Sequence, residues 1–146
     1  MAREDYRFLD ALRVRWAEVD RQGVVFNGNY LLYFDVAITE YWRAIGYPYP
    51  DELVRHGADL YAKKATVEFH ASARYDDLLE VGARCTRLGR SSLVFGFEIF
   101  REDELIASGE NVYVNVDAAT LKPAPVPEFL REAIRGFERI PPATAT

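Results

Sequence analysis

The sequence has a single cysteine, Cys85, so no internal disulfide can form, and only two histidines, His56 and His70, which are neither closely spaced nor accompanied by cysteines. No metal site is expected from such a set. No apolar run approaches the roughly 20 residues that a bilayer span needs. The opening MAREDYRFLD carries charge where a signal peptide has its apolar segment, so a soluble, cytoplasmic protein with no membrane partner is expected. Basic residues are also short: 18 Lys and Arg stand against 23 Asp and Glu, a formal net charge of −5. That balance argues against a broad nucleic-acid surface, while a few local arginines would still suffice for the phosphates of a small molecule. There is no G-x-S-x-G elbow, no Walker loop and no dinucleotide fingerprint, and no resident cofactor is expected. If the chain is an enzyme, a carboxylate is its working group.

What is present is an ordinary globular composition, 49% hydrophobic and 28% charged over 146 residues, which fits one domain spanning 1–146 with a frayed PPATAT tail at 141–146. Leu12, Val14 and Trp16 alternate with Arg13 and Arg15, predicting a half-buried strand that ends in the turn-forming Asp20-Arg-Gln-Gly23. From Asn29 to Gly46 the apolar residues Tyr30, Phe34, Ala37, Ile38, Tyr41, Trp42 and Ile45 repeat every three or four positions. That spacing predicts a long helix with an aromatic face, capped by Asn27 or Asn29 and stopped at Gly46-Tyr47-Pro48. YPYPDELVRHGA reads as a loop with at most one helical turn. Four strand-like runs follow, over 63–73, 79–88, 93–99 and 105–116, and in the last of them Ala107 and Gly109 share a parity that lets a helix approach closely. Pro127-Glu-Phe-Leu predicts a short C-terminal helix. The fold class is α+β: an antiparallel sheet curled around one long helix.

Asp20 shares the parity of the apolar strand residues and lies just ahead of the long helix, beside backbone N–H groups that no helical carbonyl satisfies. A carboxylate there places a base or nucleophile next to an oxyanion site, although an Asp ahead of Gly is first of all a turn former. Arg74, Arg87 and Arg90, with Ser91 and Ser92, form the one group suited to phosphate; for Arg74 and Arg87 a solvated surface position is the simpler reading. Tyr30, Tyr33 and Phe34 either line a pocket or simply fill the core. Glu18, Asp35 and Glu68 are expected in water, and Cys85 as a small buried residue.

The string Arg13-Val-Arg-Trp-Ala-Glu-Val-Asp20-Arg-Gln-Gly23-Val-Val-Phe-Asn27-Gly28-Asn-Tyr30-Leu-Leu-Tyr-Phe34-Asp closely resembles the opening motif of the 4-hydroxybenzoyl-CoA thioesterase-like branch of the hotdog superfamily. The resemblance continues through Phe69-His-Ala-Ser-Ala-Arg74-Tyr-Asp-Asp77 and Leu88-Gly-Arg-Ser-Ser92 to the proline-rich segment before Phe129. It implies a five-stranded antiparallel sheet around the helix, a homodimer that pairs further into a homotetramer, and an active site at the dimer interface that takes acyl-CoA. It further implies that Asp20 attacks the thioester carbonyl or activates water, that the Asn27 backbone N–H polarises the carbonyl within Phe26-Asn27-Gly28, and that Gly28, Tyr30, Phe34, Arg90, Ser91 and Ser92 border the substrate. Many relatives carry His where Asn27 stands. A carboxamide cannot carry protons near neutral pH, so Asn27 is either a hydrogen-bonding group or a helix cap. Besides hydrolysis, the same fold suits a protein that binds or passes an acyl group from CoA or a carrier protein without turnover, and other helix-in-sheet architectures suit a ligand-sequestering domain.

Overall fold

A computed structural model describes residues 2–144 of the chain. Five strands, β1 (Phe8–Arg13), β2 (Leu60–Phe69), β3 (Leu78–Leu88), β4 (Ser92–Arg101) and β5 (Glu104–Asn115), form an antiparallel sheet in the order β1-β3-β4-β5-β2. The long helix α1 (Gly28–Ala44) lies against one face, α2 is the single turn and a half Asp51–Arg55, and α3 (Glu128–Phe137) is the short C-terminal helix.

The sheet closes on α1 because each central strand presents its apolar parity inward. Leu79, Val81, Ala83 and Cys85 of β3 and Leu93, Phe95, Phe97 and Ile99 of β4 are all buried. From the other side α1 contributes Tyr30, Tyr33, Phe34, Ala37, Ile38, Tyr41 and Trp42. Phe34 stacks on Phe97 with centroids 4.7 Å apart, and Tyr41 meets Phe95 edge-on at 4.9 Å, the offsets that aromatic quadrupoles favour. Gly109 makes the approach possible: a Cβ there would overlap the Phe34 ring and the Thr66 carbonyl.

Boundaries differ from expectation at several places, among them β2, which covers Leu60–Phe69 rather than 63–73. β1 ends at Arg13, and the chain turns through a 3₁₀ turn at Trp16–Glu18, which breaks the alternation and leaves Trp16 72% exposed, edge-on to Tyr75 at 5.1 Å. Within the C-terminal tail the structure holds one short element. Ala143–Thr144 form a sixth, parallel strand β6 beside Arg87 and Leu88, continuing the edge that β1 leaves; Ala145 and Thr146 lie outside the described residues.

Glu138, just past α3, fills the gap between β1 and β6 on that edge. Its Oε2 accepts the Tyr41 hydroxyl at 2.6 Å and the Cys85 N–H at 3.0 Å. Burial raises its carboxyl above the ordinary value, against the opposing pull of those two donors and of Arg84 and Arg7. A carboxyl raised on folding binds its proton more tightly in the native state, so its contribution is present at low pH and lost as pH rises through the native value. Glu138→Gln keeps an acceptor but removes the titration. The variant's melting temperature is therefore expected to fall less than that of the parent between acid and neutral pH; parallel curves would rule the linkage out.

The sheet has one long uncovered edge. β2 bonds only to β5, and its residues are exposed on both faces, including Tyr61 and Phe69 at 50% and 51%.

Candidate active site

The segment from Val14 to Tyr30 builds the end of the molecule where α1 begins. Glu18 closes the 3₁₀ turn by accepting the Arg15 N–H at 2.8 Å, and Val19 and Val25 then bridge antiparallel. Between them the chain reverses tightly. The Asp20 N–H donates to the Val24 carbonyl at 2.8 Å, the Gly23 N–H to the Asp20 carbonyl at 2.9 Å, and Gly23 takes the left-handed φ of 78° that glycine tolerates without strain. The Asp20 side chain is half-buried, and its Oδ1 accepts the Gln22 N–H at 2.8 Å. Asp20 is thus the turn former its context suggests, but the turn uses one carboxylate oxygen. The second, Oδ2, has no partner among the described residues.

Helix α1 starts without a side-chain cap. Asn27 occupies the cap position with helical angles and makes no capping hydrogen bond, which corrects the expectation for its side chain. Asn29 does not cap either; its amide donates to the Glu18 carbonyl at 2.8 Å. The N–H groups of Asn27 and Gly28 therefore have no acceptor among the described residues, and both residues are exposed. The positive end of the helix dipole is concentrated there, a setting that favours an oxyanion.

Tyr30 and Phe34 are core residues in the protomer. Tyr30 is buried and its hydroxyl accepts the Ala73 N–H at 3.2 Å; Phe34 is enclosed completely. The expected pocket walls therefore have no open surface in one copy. Tyr33 reaches Glu18, whose residence is not water as expected but a buried site. Burial works against the Glu18 anion, yet hydrogen bonds from the Arg15 backbone and guanidinium and from Tyr33 hold its carboxyl below the ordinary range. Of the two carboxylates in Glu18-Val19-Asp20, Asp20 alone has an oxygen free to act. Cys85 is enclosed, and burial pushes its thiol up to about 12, so it is no nucleophile at neutral pH.

Arg90, Ser91 and Ser92 lie at the turn joining β3 to β4. The Gly89 N–H donates to the Ser92 carbonyl at 2.8 Å, and the Arg90 side chain is exposed. Sequence reasoning missed Arg131 of α3, whose guanidinium spans the carbonyls of Gly89, Arg90 and Val126 and clamps this turn. No local pattern announces it, because two of its three partners are about 40 positions away. The two halves of the expected site are far apart in one copy. The Asp20 loop bridges through Val24 to Arg74, just before β3, whereas Arg90 follows its far end. The 11 residues of β3 span about 35 Å between them.

Two cavities flank α1. One of about 160 Å³ lies towards β2, walled by Ile38, Trp42, Leu60 and Tyr113 with Asp35 and Thr39. The other, of about 200 Å³, lies towards β1 and contains Glu18 and Tyr33 with Leu12, Leu32 and Val36. A more spacious groove of about 440 Å³ on the opposite sheet face includes neither Asp20 nor the helix start.

Comparison with known proteins agrees with this architecture. Residues 22–108 match the family model described as Thioesterase superfamily, a span that includes Asn27, Gly28 and Arg90 and begins just after Asp20. The acyl-CoA thioester hydrolase YbgC of Escherichia coli is 32% identical over 120 residues, which cover 82% of this chain and 89% of that protein. A Thermus thermophilus thioesterase solved with coenzyme A and zinc superimposes with a TM-score of 0.82 at 30% identity, over 94% of this chain and 98% of that one. An Aquifex aeolicus protein superimposes at 0.81 with 29% identity, over 87% and 98%. The chain therefore belongs to the Thioesterase superfamily and is a thioester hydrolase of the hotdog fold.

Proposed function

We propose that the chain hydrolyses acyl-CoA to free acid and CoA, with Asp20 as the working carboxylate and the Asn27 and Gly28 N–H groups polarising the thioester carbonyl. The observation that carries this reading is that, among the described residues, a carboxylate oxygen without a partner on one stem of a short hairpin accompanies a helix start, just past the other stem, whose N–H groups have no acceptor. Attack on the carbonyl carbon, by Asp20 itself or by water that Asp20 deprotonates, drives negative charge onto the carbonyl oxygen. Fixed N–H donors stabilise that charge without having to reorganise. The exposed Asn27 amide stands where a histidine would shuttle protons; it offers hydrogen bonds only. The resemblance of the motif around Asp20 supports a reading within the 4-hydroxybenzoyl-CoA thioesterase-like branch, and we propose that the enzyme acts in the cytoplasm.

We further propose that two copies complete each site, and that such dimers pair again as a tetramer. A ten-residue edge strand with apolar side chains in water is a template for pairing with another chain. Antiparallel pairing of two β2 edges about a two-fold axis sets the Phe69 end of one strand beside the Leu60 end of the other. Since Leu60 pairs with Asn115, whose N–H donates to the Ser91 carbonyl, the Arg90 turn of one copy then lies on the side of the other copy's Asp20. The nucleotide of CoA bound at Arg90 would extend its thioester to the neighbour's helix start.

Mixing tests this. Asp20→Asn and Arg90→Ala should each impair turnover at substrate concentrations below KM. In a co-expressed mixture, each heterodimer regains one intact site, and the rate should climb towards about a quarter of the wild-type value. If both residues served the same protomer's site, no heterodimer would recover, and the mixture would show only the mean of the two variants.

A further inference from the structure

Glu18 is a buried carboxylate at this end of the molecule, and it joins pieces that the chemistry must hold in register. Its carboxylate accepts the Arg15 N–H at 2.8 Å and the Arg15 Nε at 2.7 Å, fixing the 3₁₀ turn, and accepts the Tyr33 hydroxyl at 2.9 Å, fixing that turn to the second turn of α1. Its own carbonyl accepts the Phe26 N–H at 3.0 Å and the Asn29 amide at 2.8 Å. Both stems of the hairpin that carries Asp20 are thereby tied to one residue: Glu18 begins the first stem, and Phe26, held by its carbonyl, ends the second and leads into Asn27 and Gly28.

Stability alone does not call for this arrangement. An apolar residue would fill the same space beside Leu12, Leu32 and Val36 without taking a carboxylate out of water, and an ion pair to Arg15, whose side chain is 76% exposed, offsets little of that cost. What the anion adds is direction. The Arg15 N–H, its Nε and Nη2, and the Tyr33 hydroxyl converge on two oxygens and favour one orientation of the carboxylate at the base of the Asp20 hairpin.

We infer that Glu18 is a positioning residue of the hydrolysis, with Tyr33 as its anchor on α1, holding the Asp20 loop and the α1 N-terminus in one geometry. The inference rests on the reading that Asp20 acts on the thioester. Glu18 touches no reacting atom; its effect passes through Asp20.

A double-mutant cycle separates this role from that of a mere strut. Glu18→Gln should lower kcat roughly tenfold or more, since small misplacements of catalytic groups are costly, with KM for the acyl-CoA little changed. Tyr33→Phe, which removes one donor and leaves the ion pair, should lower kcat roughly threefold to tenfold. In the Asp20→Asn background neither change should reduce the residual kcat further, while both should still shift the melting temperature as they do in the wild type. If Glu18→Gln does not fold, Tyr33→Phe carries the same cycle. Equal kcat losses with and without Asp20, or full kcat in both variants while Asp20→Asn is inactive, would overturn the inference and leave the Asp20 reading standing. Full kcat in Asp20→Asn itself would overturn both.

Discussion

Gly109→Ala is expected to destabilise the protein by roughly 3 kcal/mol, at the upper end of what one added methyl costs in a packed core, and to lower the melting temperature by about 10 °C. Gly109 sits in β5 opposite Phe97 on one side and Val67 on the other, directly under α1. The new Cβ would overlap both the Phe34 ring and the Thr66 carbonyl. Neither neighbour can yield cheaply. Phe34 is sandwiched against Phe97, and Thr66 belongs to the β2–β5 ladder. Relief requires lifting α1 from the sheet, which also moves the helix start. Gly136 provides the control: it lies in α3 with nothing within 4 Å of its missing Cβ, so Gly136→Ala should be neutral or stabilising by about 0.5–1 kcal/mol from helix propensity alone. Thermal melting of the two variants compares them directly; similar melting temperatures would mean that α1 does not rest on Gly109.

That contact was legible from parity alone, because Ala107 and Gly109 recur at the strand period on the face that must receive a helix. The same is true of α1, whose apolar spacing of three and four ends where Gly46 adopts a φ of 97°. Legibility failed where a distant partner outweighs a local pattern. The alternation through Leu12, Val14 and Trp16 continues on paper, but Glu18 accepts the Arg15 N–H and curls the chain into a 3₁₀ turn. A glutamate reads as a surface residue until Tyr33, fifteen positions on, supplies the donor that makes burial tolerable. Glu138 and Cys85 lie 53 positions apart, and β6 pairs with β3 across a similar gap, so neither contact had a local signal.

The site divides in the same way. The Asp20 turn and the helix start were legible because hairpin and helix are neighbours in sequence. The distance between Asp20 and Arg90 was not, since strand order and the uncovered β2 edge are properties of the folded sheet. The proposed two-copy arrangement would reconcile them: a residue set scattered over one protomer would become contiguous if antiparallel edges met.

The central claim is that Asp20 performs the chemistry, and the measurement that tests it most directly is thiol release from an acyl-CoA by Asp20→Asn beside the wild type. Asparagine preserves the shape of the side chain and an oxygen for the Gln22 N–H, so the turn should survive. It is neither a base nor a strong nucleophile. Loss of a positioned group of this kind is worth roughly a hundredfold or more in kcat, about 3 kcal/mol of barrier. The melting temperature should be unchanged, as should the affinity for free CoA if its nucleotide is held at the proposed Arg90 turn. A variant that folds, binds CoA and has lost at least that factor in kcat is the predicted result. A variant that keeps most of its kcat on a good substrate would contradict the account, and one that loses folding and activity together would show Asp20 to be the turn former alone.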